Sequence, residues 1–306
     1  MALVKQAHRW ASVIIVLSLS CHGAWPDPPP VDRPAFLAEH AAWRSELQQR
    51  IGENFVGLAG LWLLKEGRTP FGTDSSLPIV LPGPGPRALV GTFVRRDRIV
   101  QVEPARGHRL LSDQKRPIAS TVTLLTEDDS VPTYLRFGSL RMWIHVQDER
   151  EYLRVTDLAS PRLKGFTLAP EYEPDLRWRV AARLRAYRQR RVFRLADVTG
   201  AEQHLPVPGE LVFHLAGREM RLEAFADPGD PESLWLMFKD STNRRETYPA
   251  GRYLWVPVPD STGWTTIDFN RAISPPCAYT AFATCPLPPE ENRLAVRVEA
   301  GQKRPH

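Results

Sequence analysis

Only three of the 306 residues are cysteine. That is too few for the multi-bridge scaffold of a small secreted domain or for a four-cysteine zinc site. The eight histidines are scattered, at 8, 22, 40, 108, 145, 204, 214 and 306, and none stands four residues from another. A histidine-based metal centre is therefore not expected. No H-E-x-x-H, P-loop, G-x-G-x-x-G or G-x-S-x-G is present. The signatures of zinc-protease, nucleotide and serine-hydrolase chemistry are thus missing, and no cofactor is expected. Charge of one sign is lacking too: 40 Lys and Arg stand against 35 Asp and Glu, for a net +5. The basic residues run along the whole chain instead of forming a stripe, so no nucleic-acid partner is expected. Long apolar runs are absent, and mean hydropathy is −0.32, which excludes a polytopic membrane protein.

Proline is abundant. The 29 prolines are about twice the usual share of roughly 5%. Proline breaks helix interiors and central strands, so an all-helical bundle is excluded. The first residues carry Lys5, His8 and Arg9 without an acid, followed by an apolar run from Trp10 to Ser20. The run is about half the roughly 20 residues a membrane helix needs, and the pattern reads as a secretory signal over 1–20. Two processing routes stay open. Ser18-Leu19-Ser20 suits ordinary signal peptidase, and Cys21 suits a lipid-modified cysteine that would anchor the protein to a membrane. Residues 21–34 are proline-rich and read as a tether extending away from the body. The localisation expected is export to the periplasm or cell envelope.

Phe36, Trp43, Leu47 and Ile51 recur at spacings of seven, four and four, which predicts a helix over Ala35–Ile51, started at Asp32 and stopped at Gly52. After it come short alternating segments divided by turns: Leu58–Leu64, Leu77–Leu81, Leu89–Arg95, Ile99–Glu103, Thr121–Thr126, Tyr134–Phe137, Arg141–Gln147 and Tyr152–Thr156. No helix-length pattern intervenes, so a doubly wound parallel sheet is not expected. The fold class is mostly β, an antiparallel sandwich or barrel-like body in two subdomains. Residues 160–176 mark the boundary, giving 35–168 as helix plus first subdomain and 169–306 as the second. In the second, Arg177–Tyr187 alternates apolar with basic residues and reads as a strand with one wet face. Glu210–Leu215, Glu219–Phe225, Leu234–Phe238, Tyr253–Val258 and Trp264–Ile267 complete it.

Residues 239–292 hold the densest set of polar groups. Asp240, Glu246 and Asp268 supply carboxylates for acid–base work, and Arg252 a planar fork for a carboxylate or phosphate. Asp240 ends one apolar strand, Arg252 opens the next, and Asp268 and Asn270 follow a third. Antiparallel neighbours predict that Asp240, Glu246, Arg252, Tyr253, Asp268 and Asn270 converge. They form either a ligand site or a buried bracing network. Cys277 and Cys285 lie eight apart between prolines and are expected to be close, as a short disulfide loop or as a reduced buried pair.

The same segment carries a resemblance. Lys239-Asp240-Ser241-Thr242, Glu246 through Leu254, Asp268-Phe269-Asn270-Arg271-Ala272, Pro275 through Thr280, Ala283 through Pro289, Asn292-Arg293-Leu294 and Ala300-Gly301-Gln302-Lys303 resemble the bacterial DUF1684 family, whose function is uncharacterised. Fainter parallels at Gly60–Leu63 and Leu153–Asp157 extend it to about residues 43–305. The resemblance implies a two-part, mostly β fold and no activity. Pro249 stands where the family favours Gly. Glu66–Asp74 with Leu77–Leu81 is also similar to the opening of a forkhead-associated domain, a β-sandwich. Thr73 replaces that family's phosphate-reading Arg, so phosphopeptide binding is not implied. The functional expectation is an exported binding or interaction protein of the cell envelope, its partner a small molecule or envelope component. The alternative is a hydrolase or transferase using the carboxylates of 240–292.

Overall fold

The structure is a computed structural model. It describes residues 25–83, 86–107, 109–129, 131–198 and 200–305. The expected signal over 1–20 and the lipidation candidate Cys21 lie outside the described residues. The helix α1 spans Arg33–Ile51, two residues longer at its start than the apolar spacing predicts. Asp32 caps it, its carboxylate accepting from Ala35 N at 3.1 Å, with Pro34 in the first turn, where a missing N–H costs nothing. Phe36, Leu47 and Ile51 are buried.

The first unit holds β1 (Leu58–Leu63), β2 (Gly67–Gly72), β3 (Ile79–Val80), β4 (Leu89–Arg96), β5 (Ile99–Pro104), β6 (Leu111–Ser112), β7 (Val122–Leu124), β8 (Leu135–Phe137), β9 (Leu140–Gln147) and β10 (Arg150–Asp157). They form two five-stranded sheets, β1-β10-β9-β8-β6 and β3-β2-β4-β5-β7. All pairings are antiparallel except β2 with the two-residue β3. A shared core lies between the sheets, with Phe71, Phe93, Val100, Val102, Leu135, Met142, Ile144 and Leu153 among its buried members. β2 was not expected. Its sequence, Gly-Arg-Thr-Pro-Phe-Gly, has the composition of a turn, and its strand form comes from pairing with β4.

The second unit holds β11 (Arg179–Ala196), β12 (Glu202–Leu215), β13 (Arg218–Ala226), β14 (Ser233–Phe238), β15 (Arg252–Pro257) and β16 (Trp264–Asp268). Their order is β15-β14-β13-β12-β11-β16. The sheet curls until its edges meet, and Thr265 Oγ1 on β16 donates to Pro257 O on β15 at 2.9 Å. The result is a nearly closed barrel. Alternation assigns the two faces. Leu234, Leu236, Phe238, Leu254 and Val256 point inward with Leu211, Phe213 and Leu222. Trp235, Met237 and Tyr253 point outward, where they pack with Leu47 and Ile51 of α1 and with Cys285.

Two features differ from expectation. β11 and β12 run well beyond Tyr187 and back before Glu210. The ladder shifts register between Ala186 and Arg191 and then resumes to Ala196 opposite Glu202. The polar stretch Arg188–Arg191 hides this continuation, because a bulge carries no alternation. The proline-rich segment does not stand off from the body: Trp25 Nε1 donates to Ala181 O at 3.0 Å. Its ring stacks on His214 with centroids 4.6 Å apart and meets Trp264 edge-on at 4.9 Å.

Candidate functional site

Strand pairing sets Phe238 opposite Arg252. Arg252 shares the inward face with Leu254 and Val256, so its guanidinium enters the barrel and is fully buried. Nη2 donates to Asp240 Oδ2 at 2.6 Å and to Val298 O at 2.9 Å, and Nη1 donates to Ala300 O. The guanidinium carbon lies 5.0 Å from the Phe238 ring centroid. Asp240 Oδ1 accepts from Thr242 N at 2.7 Å and Val298 N at 3.2 Å. A buried charge is tolerated when paired and hydrogen-bonded, and here both ions are. The bonds fasten the final segment, whose Leu294, Val298 and Ala300 fill the barrel core.

Tyr253, the next residue, faces the opposite way. Its hydroxyl donates to Pro286 O at 2.6 Å, and burial pushes its pKa well above the ordinary value. Glu246 pairs with Arg297 at 2.5 Å and accepts from the Tyr172 hydroxyl at 2.7 Å. These two bonds, Arg297 first, hold its pKa below the usual carboxylate range. Asp268 caps a short 3-10 turn, Phe269–Arg271, accepting from Asn270 N at 3.1 Å, and lies 3.7 Å from Arg179. Asn270 Nδ2 donates to Asp175 O at 2.9 Å, and its Oδ1 accepts from Asp175 N at 3.0 Å. Of the six candidates, hydrogen bonds join only Asp240 to Arg252 and Asp268 to Asn270. Tyr253 is divided from Arg252 by strand parity, since neighbouring residues on a strand point to opposite faces, and Glu246 lies in the turn before β15, bonded to Arg297 and Tyr172.

Cys277 and Cys285 are free thiols in the structure. Cys277 N donates to Cys285 Sγ at 3.2 Å. The thiol bond between them lowers the pKa of half-buried Cys277 against the effect of burial. The same bond, with burial, raises that of Cys285.

None of the six candidates lines either of two surface cavities. One, of about 300 Å³, is lined by Val56, Arg162, Phe166, Leu168 and Tyr279. The other, of about 640 Å³, lies between the proline-rich segment and β11, lined by Trp25, Pro26–Val31, Leu176, Arg177, Arg179 and His214. Its cations are partly engaged: Arg177 lies 3.4 Å from Asp175, and Arg179 donates to Pro29 O at 3.3 Å as well as facing Asp268. Among the described residues, no three His, Cys, Asp or Glu side chains are grouped to hold a metal ion.

The sequence also gave no sign of Glu223. It is buried on β13, and both carboxylate oxygens lie within 2.9 Å of the Tyr187 hydroxyl. Burial raises its pKa, and the nearby Glu210 adds to the rise. Isolated on a strand with no motif around it, Glu223 looks like any wet-face acid. A second unforeseen network joins the two units. Gln147 of β9 donates to Asp197 at 3.2 Å and bonds the Thr284 hydroxyl, while Gln203 donates to Thr284 O at 2.6 Å.

Comparison with known proteins gives two findings. The model of DUF1684, a protein family of unknown function, matches residues 164–303. The match begins inside the 160–176 boundary and does not include the fainter parallels at Gly60–Leu63 and Leu153–Asp157. The chain is also similar to an uncharacterized protein from Haloarcula marismortui, solved by solution NMR. The identity is 32%, over 47% of this chain and 80% of that one, with a TM-score of 0.39. No curated protein matches.

Proposed function

The chain belongs to the DUF1684 family, and from that premise we propose that it is an exported cell-envelope protein that binds its ligand without transforming it. One observation carries this reading: the carboxylates best placed for acid–base work are all held by internal partners. Asp240 is held by Arg252, Thr242 and Val298, Glu246 by Arg297 and Tyr172, and Asp268 by Asn270 and Arg179. A general acid or base must reach a proton on the substrate, and none of these lines either of the two cavities described. Glu223, with its raised pKa, is the group that favours catalysis. It too is covered, by Tyr187, and lines neither cavity.

The ligand space is the groove of about 640 Å³ beneath the proline-rich segment, a volume within the usual range of small-molecule sites. Proline faces and the Trp25–His214 stack form an apolar wall, and Arg177 and Arg179 supply cations at one end. This suits a ring or short chain bearing one anionic group. The wall exists only while Trp25 is seated, so the segment is part of the site.

The test uses 8-anilinonaphthalene-1-sulfonate, an aromatic sulfonate, titrated into the full chain. One saturable equivalent is expected, lost in Trp25→Ala and weakened in Arg179→Gln. Binding that is unchanged in Trp25→Ala would refute the groove. Turnover of a chromogenic ester, phosphoester or glycoside that disappears in Glu223→Gln would refute the non-catalytic reading.

A further inference from the structure

Arginines elsewhere in the second unit are mostly committed. Arg177, Arg179, Arg185, Arg221, Arg252, Arg271, Arg293 and Arg297 each lie within 4 Å of a carboxylate. Arg183, Arg218, Arg244, Arg245 and Arg304 have no ion pair among the described residues, but the outer half of β11 gathers such arginines on one strand. Arg188, Arg190 and Arg194 are exposed, and no carboxylate among the described residues pairs with them. Arg191 beside them lies over the Tyr187 ring, 3.7 Å from its centroid, and its charge acts on Glu223 beneath. The acids that face this arm are engaged elsewhere or set apart: Asp148 is held by His204, which pairs opposite Arg194, and Glu202 stands opposite Ala196 at the strand's end. The register shift between Ala186 and Arg191 leaves residues 187–190 without partners on β12, and the ladder then resumes, with Val192 opposite Pro206 and Arg194 opposite His204. In its midst Val192 is 56% exposed.

We propose that this arm, Arg188, Arg190 and Arg194 around Val192, is a docking surface for an anionic lipid bilayer. The surface is separate from the groove and does not depend on it. Three uncompensated guanidinium groups within seven residues cost self-repulsion in the free protein and gain attraction beside a phosphate-rich plane. An exposed valine among them suits shallow insertion between headgroups. Stacking on nucleic-acid bases needs exposed aromatic faces. Here Tyr187 is covered by Arg191, and Phe193 packs into the core shared with Phe225. An acidic protein segment would want a groove, and these residues lie on the paired strand β11 and line neither cavity.

The test is co-flotation of the full chain with vesicles of phosphatidylglycerol and phosphatidylcholine in equal parts, against phosphatidylcholine alone. The difference between the two vesicles is the readout, because partitioning of the apolar residues 10–20 is common to both. Wild type should prefer the anionic vesicles and be released between 50 and 300 mM NaCl, roughly as screening shortens the reach of charge. Replacing Arg188, Arg190 and Arg194 together by Gln should cut that preference about a hundredfold, near fivefold per charge. The single Arg190→Gln should show one such step. A control that removes three paired charges, Arg68, Arg293 and Arg297 to Gln, should keep the preference. Equal binding to both vesicles, or no effect of the triple change, overturns the proposal. Tighter, arm-dependent binding to a DNA duplex than to the anionic vesicles at 150 mM NaCl overturns it in favour of nucleic acid.

Discussion

Truncating Arg252 to alanine is the most demanding test of the second unit. The side chain is fully buried and joins three partners: Asp240, Val298 O and Ala300 O. Removing one member of a buried ion pair costs about 3–5 kcal/mol, because the remaining charge has neither water nor counter-ion. Two carbonyls also lose charge-assisted donors, at about 1–3 kcal/mol each if left dry. These losses overlap, since water entering the vacated space serves all three acceptors, and a total near 4–6 kcal/mol is expected. Against a global stability of roughly 5–15 kcal/mol, that is a large fraction. At about 2–4 °C per kcal/mol for a domain of this size, the melting temperature should fall by more than about 8 °C. Equilibrium urea unfolding followed by tryptophan fluorescence gives the free energy. Limited proteolysis should show the segment 294–303 opening first, since Arg252 grips its carbonyls. The paired replacement Arg252→Met with Asp240→Leu should regain much of the loss, because a buried ion pair can be exchanged for packed apolar groups at little net cost. A loss below about 1 kcal/mol for Arg252→Ala, or a double variant no better than the single, would refute this account of the clamp.

Glu223 predicts a pH effect. Its folded pKa is raised by burial above the ordinary 4.5, so the stability it contributes is complete below about that value and is lost as pH rises through the folded pKa. Glu223→Gln should flatten this limb in urea melts taken from pH 4 to 8, and an unchanged slope would contradict the raised value. For the thiols, iodoacetamide at neutral pH should alkylate half-buried Cys277 well before buried Cys285, as peptide mass mapping would show; the reverse order would be inconsistent with the geometry. Gly251 has φ 114°, and a Cβ there would meet Pro288 Cγ at 2.5 Å and Phe238 O at 2.8 Å. Gly251→Ala should therefore destabilise by about 1–3 kcal/mol, and a neutral result in thermal melts would show that the turn yields freely. Protein recovered from the cell envelope should lack residues 1–20 by intact mass. A chain still beginning at Met1 would refute export by a cleaved signal, and an acyl mass on Cys21 would select the lipid-anchored form.

Local pattern alone determined much of this molecule. Short apolar or alternating runs such as Leu234–Phe238 and Arg177–Tyr187 marked strands, and turn residues placed the breaks, because strand and turn preferences act within a few residues. The spacing of Phe36, Trp43, Leu47 and Ile51 marked the one long helix among the described residues for the same reason, and the unusual run from Asp268 to Pro289 carried the family. Tertiary structure decided what those residues touch. Arg252 read either as a fork for an anion or as part of a buried bracing network. It became a buried clamp because closure of the barrel brought the distant Val298 and Ala300 carbonyls to it, contacts 46 and 48 residues away in the chain. Tyr253 parted from Arg252 because strand parity turned it outward, towards Pro286. The proline-rich segment carries no sign of a docking partner in its own residues. Only the barrel wall, by setting Ala181, His214 and Trp264 side by side, provides the place where Trp25 binds. Glu223 became unusual only when Tyr187 was laid over it, from a strand whose bulge no alternation could reveal.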